Sequence, residues 1–171
     1  YELRQHGIGV IPTPADEHAC PPWKQRSFNL FRYLDKFGYQ SYPASDAALQ
    51  SVETEPHAVW CALCGYVPLP KDSLEGRLQR QVILDDLGLG IPDPMMFFEE
   101  VTRHWLRQGV LPLKNIYASA ELDALAAAYT AWQTGLHPDQ TCRLGDPREG
   151  EIVLPVPSIK GWYETRPSSG D

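Results

Sequence analysis

The stretch SVETEPHAVW, residues 51 to 60, sets Glu53, Glu55 and His57 at alternate positions. If residues 51 to 55 form a strand, Glu53 and Glu55 point the same way, because strand side chains alternate between faces. Carboxylates so placed can share a hard cation such as Mg2+ or Mn2+. Two such ions about 4 Å apart can activate water and stabilise a leaving oxygen in phosphodiester hydrolysis. The competing reading is a pair of solvated acids at a strand end. A second group lies in KDSLEGRLQRQ, where Lys71, Arg77 and Arg80 are candidate phosphate contacts. Arg77 and Arg80 are neighbours if that stretch is helical; a solvated basic face is the ordinary alternative.

A third group is soft. Cys61 and Cys64 form a CxxC, and His57 falls on the same helical side, giving three ligand types that zinc accepts, with Cys20 or Cys142 to complete four. The apolar Ala62 and Leu63 inside the CxxC, and the lack of a second pair at zinc-site spacing, favour core thiols over zinc or a redox pair. Four cysteines in 171 residues do not suggest a disulfide scaffold. No GxSxG elbow, phosphate loop or dinucleotide-binding glycine series occurs, so serine hydrolase, nucleotide triphosphatase and nicotinamide enzyme lose their sharpest support.

These side chains need elements to hold them. The length of 171 residues fits one domain, expected over residues 1 to 171 with a loose, solvated tail at 165 to 171. No apolar run approaches the roughly 18 to 20 residues that cross a bilayer, and the start lacks the sections of a secretion signal. A soluble cytoplasmic protein without a membrane partner is therefore expected. The net charge of −7 argues against broad electrostatic attraction to nucleic acid, though a local basic surface or a bound cation can override it. The chain opens without Met, and YELRQHGIGVIPTP reads as the continuation of something upstream.

Pro12, Pro14, Pro21 and Pro22 predict a loop. Phe28, Phe31, Leu34 and Phe37 recur at helical spacing and Gly38 stops them, which predicts a helix over residues 23 to 37. Further helices are expected at 57 to 64, closed by Gly65; after a Ser73 cap, with Gly76 inside at a cost of up to about 1 kcal/mol; and at 95 to 108, with Phe97, Phe98, Val101 and Trp105 on its apolar side. The clearest is 118 to 133, capped by Ser119 and ended by Gly135. Leu122, Leu125, Ala126 and Tyr129 form one face of it, and Ala120, Ala124, Ala127, Ala128 and Ala131 a second, small-residue face suited to close packing. Only two strands are convincing, near Val52 and at 151 to 154, too few for a covered sheet. Either another strand is hidden or its partner lies upstream.

The ordered series SVETEP, LPKDSLEGRLQRQVIL, ELDALAAAYTAW and RLGDPREGEIVLP resembles the family called domain of unknown function 429, whose members are predicted nucleases. The resemblance covers nearly the whole chain. It implies an α/β, RNase H-like fold with several packing helices, acidic residues at the ends of central strands and on a late helix, and a metal-dependent phosphodiesterase acting on nucleic acid. Glu53 matches the acid of the internal strand and Asp123 that of the late helix. Glu55 departs from the aromatic or His usual two places on, and His57 stands where an acidic or other polar residue is common; His57 becomes a candidate for orienting water or phosphate. The family's first acidic strand has no counterpart here. The expectation is thus an incomplete sheet, the C-terminal two thirds of such a domain, inactive as it stands and completed by a second copy in a homodimer. The alternative is a non-catalytic interaction or structural module built on the same fold. Asp123 has an ordinary reading too, since a carboxylate near a helix N-terminus is stabilised by the helix dipole.

Overall fold

The computed structural model describes residues 2–11, 16–101, 103–146 and 150–165. The loop expected at Pro12 and Pro14 and the tail from 166 onward lie outside them; Thr165 bridges to Val67. The order is α1 (Glu2–Gln5), α2 (Pro22–Lys36), β1 (Gln40–Ser41), β2 (Gln50–Ser51), α3 (Pro56–Cys64), α4 (Leu74–Asp86), α5 (Met96–Glu100), α6 (Arg103–Gln108), α7 (Ser119–Leu136), β3 (Cys142–Asp146) and β4 (Gly150–Leu154). The fold is mixed α/β with two small two-stranded sheets, β1 parallel to β2 and β3 antiparallel to β4.

Two hidden strands appear, β1 and, opposite β4, β3. β3 places Cys142 opposite Leu154 and Leu144 opposite Ile152, so apolar residues share one face of the hairpin. β4 also has a second neighbour: the Val153 N–H donates to the Glu53 carbonyl at 2.8 Å, and the Thr54 hydroxyl to the Val153 carbonyl at 2.7 Å. The strand expected over 51 to 55 is shorter than its sequence suggests, since only Gln50–Ser51 is in a sheet. Pro56, at the start of α3, ends any ladder there because it has no N–H.

Helices supply most of the core. α3 buries Ala58, Val59, Trp60 and Cys61, and Gly65 closes it in the left-handed region at φ 76°. α4 is capped by Ser73, whose hydroxyl accepts the Gly76 N–H. On α7 the expected apolar face is seen at Leu122, Leu125 and Ala126, and the alanine face departs from its expected packing. Ala120, Ala124, Ala128 and Ala131 face solvent, and the buried stripe is Leu122, Ala126, Thr130 and Thr134, four residues apart. The two threonines can be buried because each hydroxyl donates to the carbonyl four residues back, at 2.8 and 2.7 Å. Ser119 is the first helical residue rather than the cap, and the helix runs past Gly135 to Leu136. The helix expected over 95 to 108 is two short ones, because Val101 is extended at ψ 106°. Among the described residues, no helix is long and apolar enough to cross a membrane.

Gly76 inside α4 has a packing reason. A Cβ there would stand 1.9 Å from the Pro70 carbonyl oxygen, a backbone atom. Gly76→Ala is therefore expected to destabilise the fold by about 1 to 3 kcal/mol, the usual cost of overpacking, against a gain below 1 kcal/mol from helix propensity. A lower urea midpoint at unchanged slope checks this.

Candidate functional site

The site is built where α3, α4 and α7 meet. A Trp must find an acceptor for its indole N–H when it is buried, and Trp60, 1 % exposed on α3, finds the Asp123 carboxylate of α7: Nε1 donates to Oδ1 at 3.0 Å. The other oxygen of Asp123 faces the Lys71 ammonium at 3.6 Å. Lys71 is held at the rim by its own backbone, since its carbonyl and the Asp72 carboxylate both lie within hydrogen-bond distance of the Ser119 hydroxyl.

On the other side of the Trp60 ring lies Arg80 of α4, with its guanidinium carbon 5.7 Å from the ring centroid. Arg80 is 1 % exposed. Its Nη1 donates to the carbonyls of Leu69 and Gly76 at 2.9 and 2.8 Å, while Nε is buried without a partner. Burial pushes its pKa down, and Asp123 is the largest of the charges that oppose this. Arg77 donates through Nε to the Tyr117 carbonyl at 2.7 Å and through Nη2 to that of Ile116 at 2.8 Å. Arg77 and Arg80 are on one helix as expected; Arg77 is half-buried with Nε and Nη2 on backbone carbonyls, Arg80 is buried, and Lys71 is the exposed one of the three.

The two glutamates stand apart from that junction. Glu55 is the N-cap of α3, and its carboxylate accepts the His57 N–H at 3.4 Å. Glu53 meets no cation among the described residues; partial burial, and next the charge of Glu55, hold its carboxyl above the ordinary glutamate value. His57 lies between the two halves of the site. Burial and then Arg80 push its pKa down, while Glu55 and Asp123 pull it up, and its Nε2 is 3.9 Å from Cys61 Sγ. The thiols are poor nucleophiles, since burial pushes Cys61 up to about 12 and Cys64 up to about 11.

Carboxylate oxygens suit Mg2+ or Mn2+ by chemistry. Among the described residues no group of three or more His, Cys, Asp or Glu side chains is gathered to hold an ion, whether Glu53, Glu55 and Asp123 or the soft set at His57, Cys61 and Cys64. The cation that faces Asp123 is Lys71. Sequence reasoning missed Trp60 as the organiser of the site; the available signal was a Trp on a short apolar helix, whose N–H demanded an acceptor from another element.

Two outcomes follow. Trp60→Phe keeps the ring and removes the donor to a carboxylate whose side chain is only 23 % exposed. The loss is expected at about 1.5 to 3 kcal/mol, the range for a hydrogen bond to a charged group, read by urea unfolding. Glu53→Gln tests the acidic rim. A carboxyl whose folded pKa is raised favours folding below its unfolded pKa and loses that contribution as pH rises through the folded value. The variant is expected to melt higher than the parent at neutral pH, with the difference fading as pH falls through the ordinary glutamate range near 4.5.

Compared with known proteins, the chain matches no curated protein and no solved structure. A family model does match residues 2–165, spanning all the elements that build the site. The chain belongs to the family described as "Protein of unknown function (DUF429)".

Proposed function

We propose that this chain is a nuclease-like domain of RNase H-like layout which, in the form described, engages nucleic acid without hydrolysing it. One observation carries the reading: Asp123 has one oxygen on the Trp60 N–H and the other facing Lys71. A carboxylate engaged in this way ties helices together and leaves Lys71, whose side chain is 58 % exposed, as the cation turned to solvent. Phosphodiester hydrolysis asks more of a site, because small misplacements of catalytic groups cost large factors in rate. Asp123 and Glu53 are not part of one gathered ligand set among the described residues.

A second reading, a metal-dependent phosphodiesterase using Mg2+ or Mn2+, has one observation in its favour. Glu53 is raised in part by the like charge of Glu55 and meets no cation among the described residues, a strain that a divalent ion would relieve. The two readings part in one experiment. The chain, Lys71→Ala and the double variant Glu53→Gln with Asp123→Asn are incubated with single-stranded, duplex and branched substrates in magnesium or manganese. The expected result is salt-sensitive binding, weakened a few-fold by Lys71→Ala as for the loss of one phosphate contact, and no cleavage. Metal-dependent cleavage by the parent that disappears in the double variant would replace the first reading by the second. Cleavage that survives the double variant would sink the assignment of Glu53 and Asp123 under either.

A further inference from the structure

Helix α2 is amphipathic, and among the described residues its apolar side is left open. None of its residues is buried. Trp23 (60 % exposed), Leu30 (57 %) and Phe37 (73 %), the last at the C-cap, recur every seven residues, and Tyr33 (60 %) falls beside them. Positions seven apart lie on one side of a helix, so these four make an apolar stripe. The helix is also basic: Lys24, Arg26, Arg32 and Lys36 stand against Asp35 alone within it, and of these Arg32 is paired with Glu17.

The complementary surface is in the same chain. Residues 85 to 100 carry Asp85, Asp86, Asp93, Glu99 and Glu100 and no base. Within that stretch Leu87, Met95, Met96 and Phe98 are exposed. It adjoins a cleft of about 470 Å³ lined by Trp105, Val110, Leu111 and Leu113, with the Glu100–Lys114 ion pair at 3.1 Å on its wall. The bases nearby, Arg103, Arg107 and Lys114, follow α5 in the chain, and Lys114 is already held by Glu100. The methionines suit this role, since flexible thioether side chains adapt to a docked helix.

We propose that α2 of one copy docks along the α5 surface of a second copy, and that the second copy returns the contact. Within one copy the two surfaces leave each other uncovered. Between two copies, each basic apolar stripe meets an acidic apolar surface, and the exchange is closed by a two-fold axis instead of growing into a filament. The mode is an amphipathic helix laid on an apolar groove, with opposite charges at the rim to set orientation and on-rate.

Sedimentation equilibrium of the 171-residue chain reads the outcome. The parent is expected to be a dimer that weakens with salt. Leu30→Asp with Phe37→Asp, and separately Met95→Asp with Phe98→Asp, are expected to be monomers. All four side chains are exposed, and circular dichroism of each variant verifies that it is folded. Mixing the two variants is the decisive arm. One α2 and one α5 surface are then intact in each pair, so a heterodimer is expected to re-form, about tenfold or more weaker than the parent, the factor equal to 1.4 kcal/mol. A parent that stays monomeric overturns the proposal. So does an α5 variant that remains dimeric, which would mean α2 pairs with itself, or a monomeric parent that binds anionic vesicles through α2, which would make the stripe a membrane surface.

Discussion

The buried indole of Trp60 links, through polar contacts, three helices that also share the apolar core of Val59, Leu84, Leu122 and Ala126. Its N–H satisfies Asp123 of α7 and its face lies against the guanidinium of Arg80 of α4, so one side chain of α3 meets an anion and a cation at once. Burying a charge is costly unless it is paired or hydrogen-bonded. Arg80 meets that demand without an ion-pair partner at hydrogen-bond distance, through two backbone carbonyls, an aromatic face and the more distant negative charge of Asp123. Its orphan Nε measures how incomplete the solution is. Each partner restricts the others: moving Asp123 toward solvent would strip the indole of its acceptor and expose Arg80 to an unbalanced interior.

How far the fold could be read from residues depended on whether local chemistry decided it. α3 and α4 were legible because their boundaries are set by short-range devices, Gly65 in a left-handed cap and Ser73 on the Gly76 N–H. α7 was legible as a helix and, through Leu122, Leu125 and Ala126, in part of its buried face, but not in the role of its threonines and alanines. An alanine face and a Leu–Ala–Thr–Thr stripe both fit helical period, and the choice was made by hydroxyls that satisfy themselves on their own helix. β3 escaped notice because Gly145 and the charges of Arg143 and Asp146 hide a two-residue apolar alternation, Cys142 and Leu144, that gains meaning only opposite β4. The split of α5 from α6 has no warning in the sequence, where the apolar spacing continues across Val101.

The candidate site divides along the same line. Glu53, Glu55, His57 and Lys71 were identified by type and spacing and Asp123 by the family resemblance; Glu55 and His57 stand at the start of α3, Asp123 on α7, and Glu53 and Lys71 on the segments that lead into α3 and α4. Which of them serve structure could not be read, since it depends on partners remote in sequence: Glu55 turns to its own helix, Arg77 to carbonyls 39 and 40 residues away, and Asp123 to a Trp 63 residues earlier. Family membership extends over the same elements, so the arrangement is embedded in the matched region and is not an appendage to it.

The pairing of β4 with residues 53 and 54 has a kinetic side. The Val153–Glu53 hydrogen bond closes a loop of about a hundred residues, and the Tyr163 N–H reaches the His6 carbonyl across nearly the whole chain. Glu2 likewise accepts the Gly145 N–H at 2.7 Å. Contacts this remote in sequence must wait for loop closure and slow the search for the native state. During synthesis, α3 and α4 emerge long before the strands that finish their surroundings, and α1 waits longest of all. The part of α3 that packs on β4 therefore stays uncovered after α4 and α7 have been made, until residues 150 to 154 have left the ribosome, an interval in which the nascent chain is open to chaperones and to mispairing.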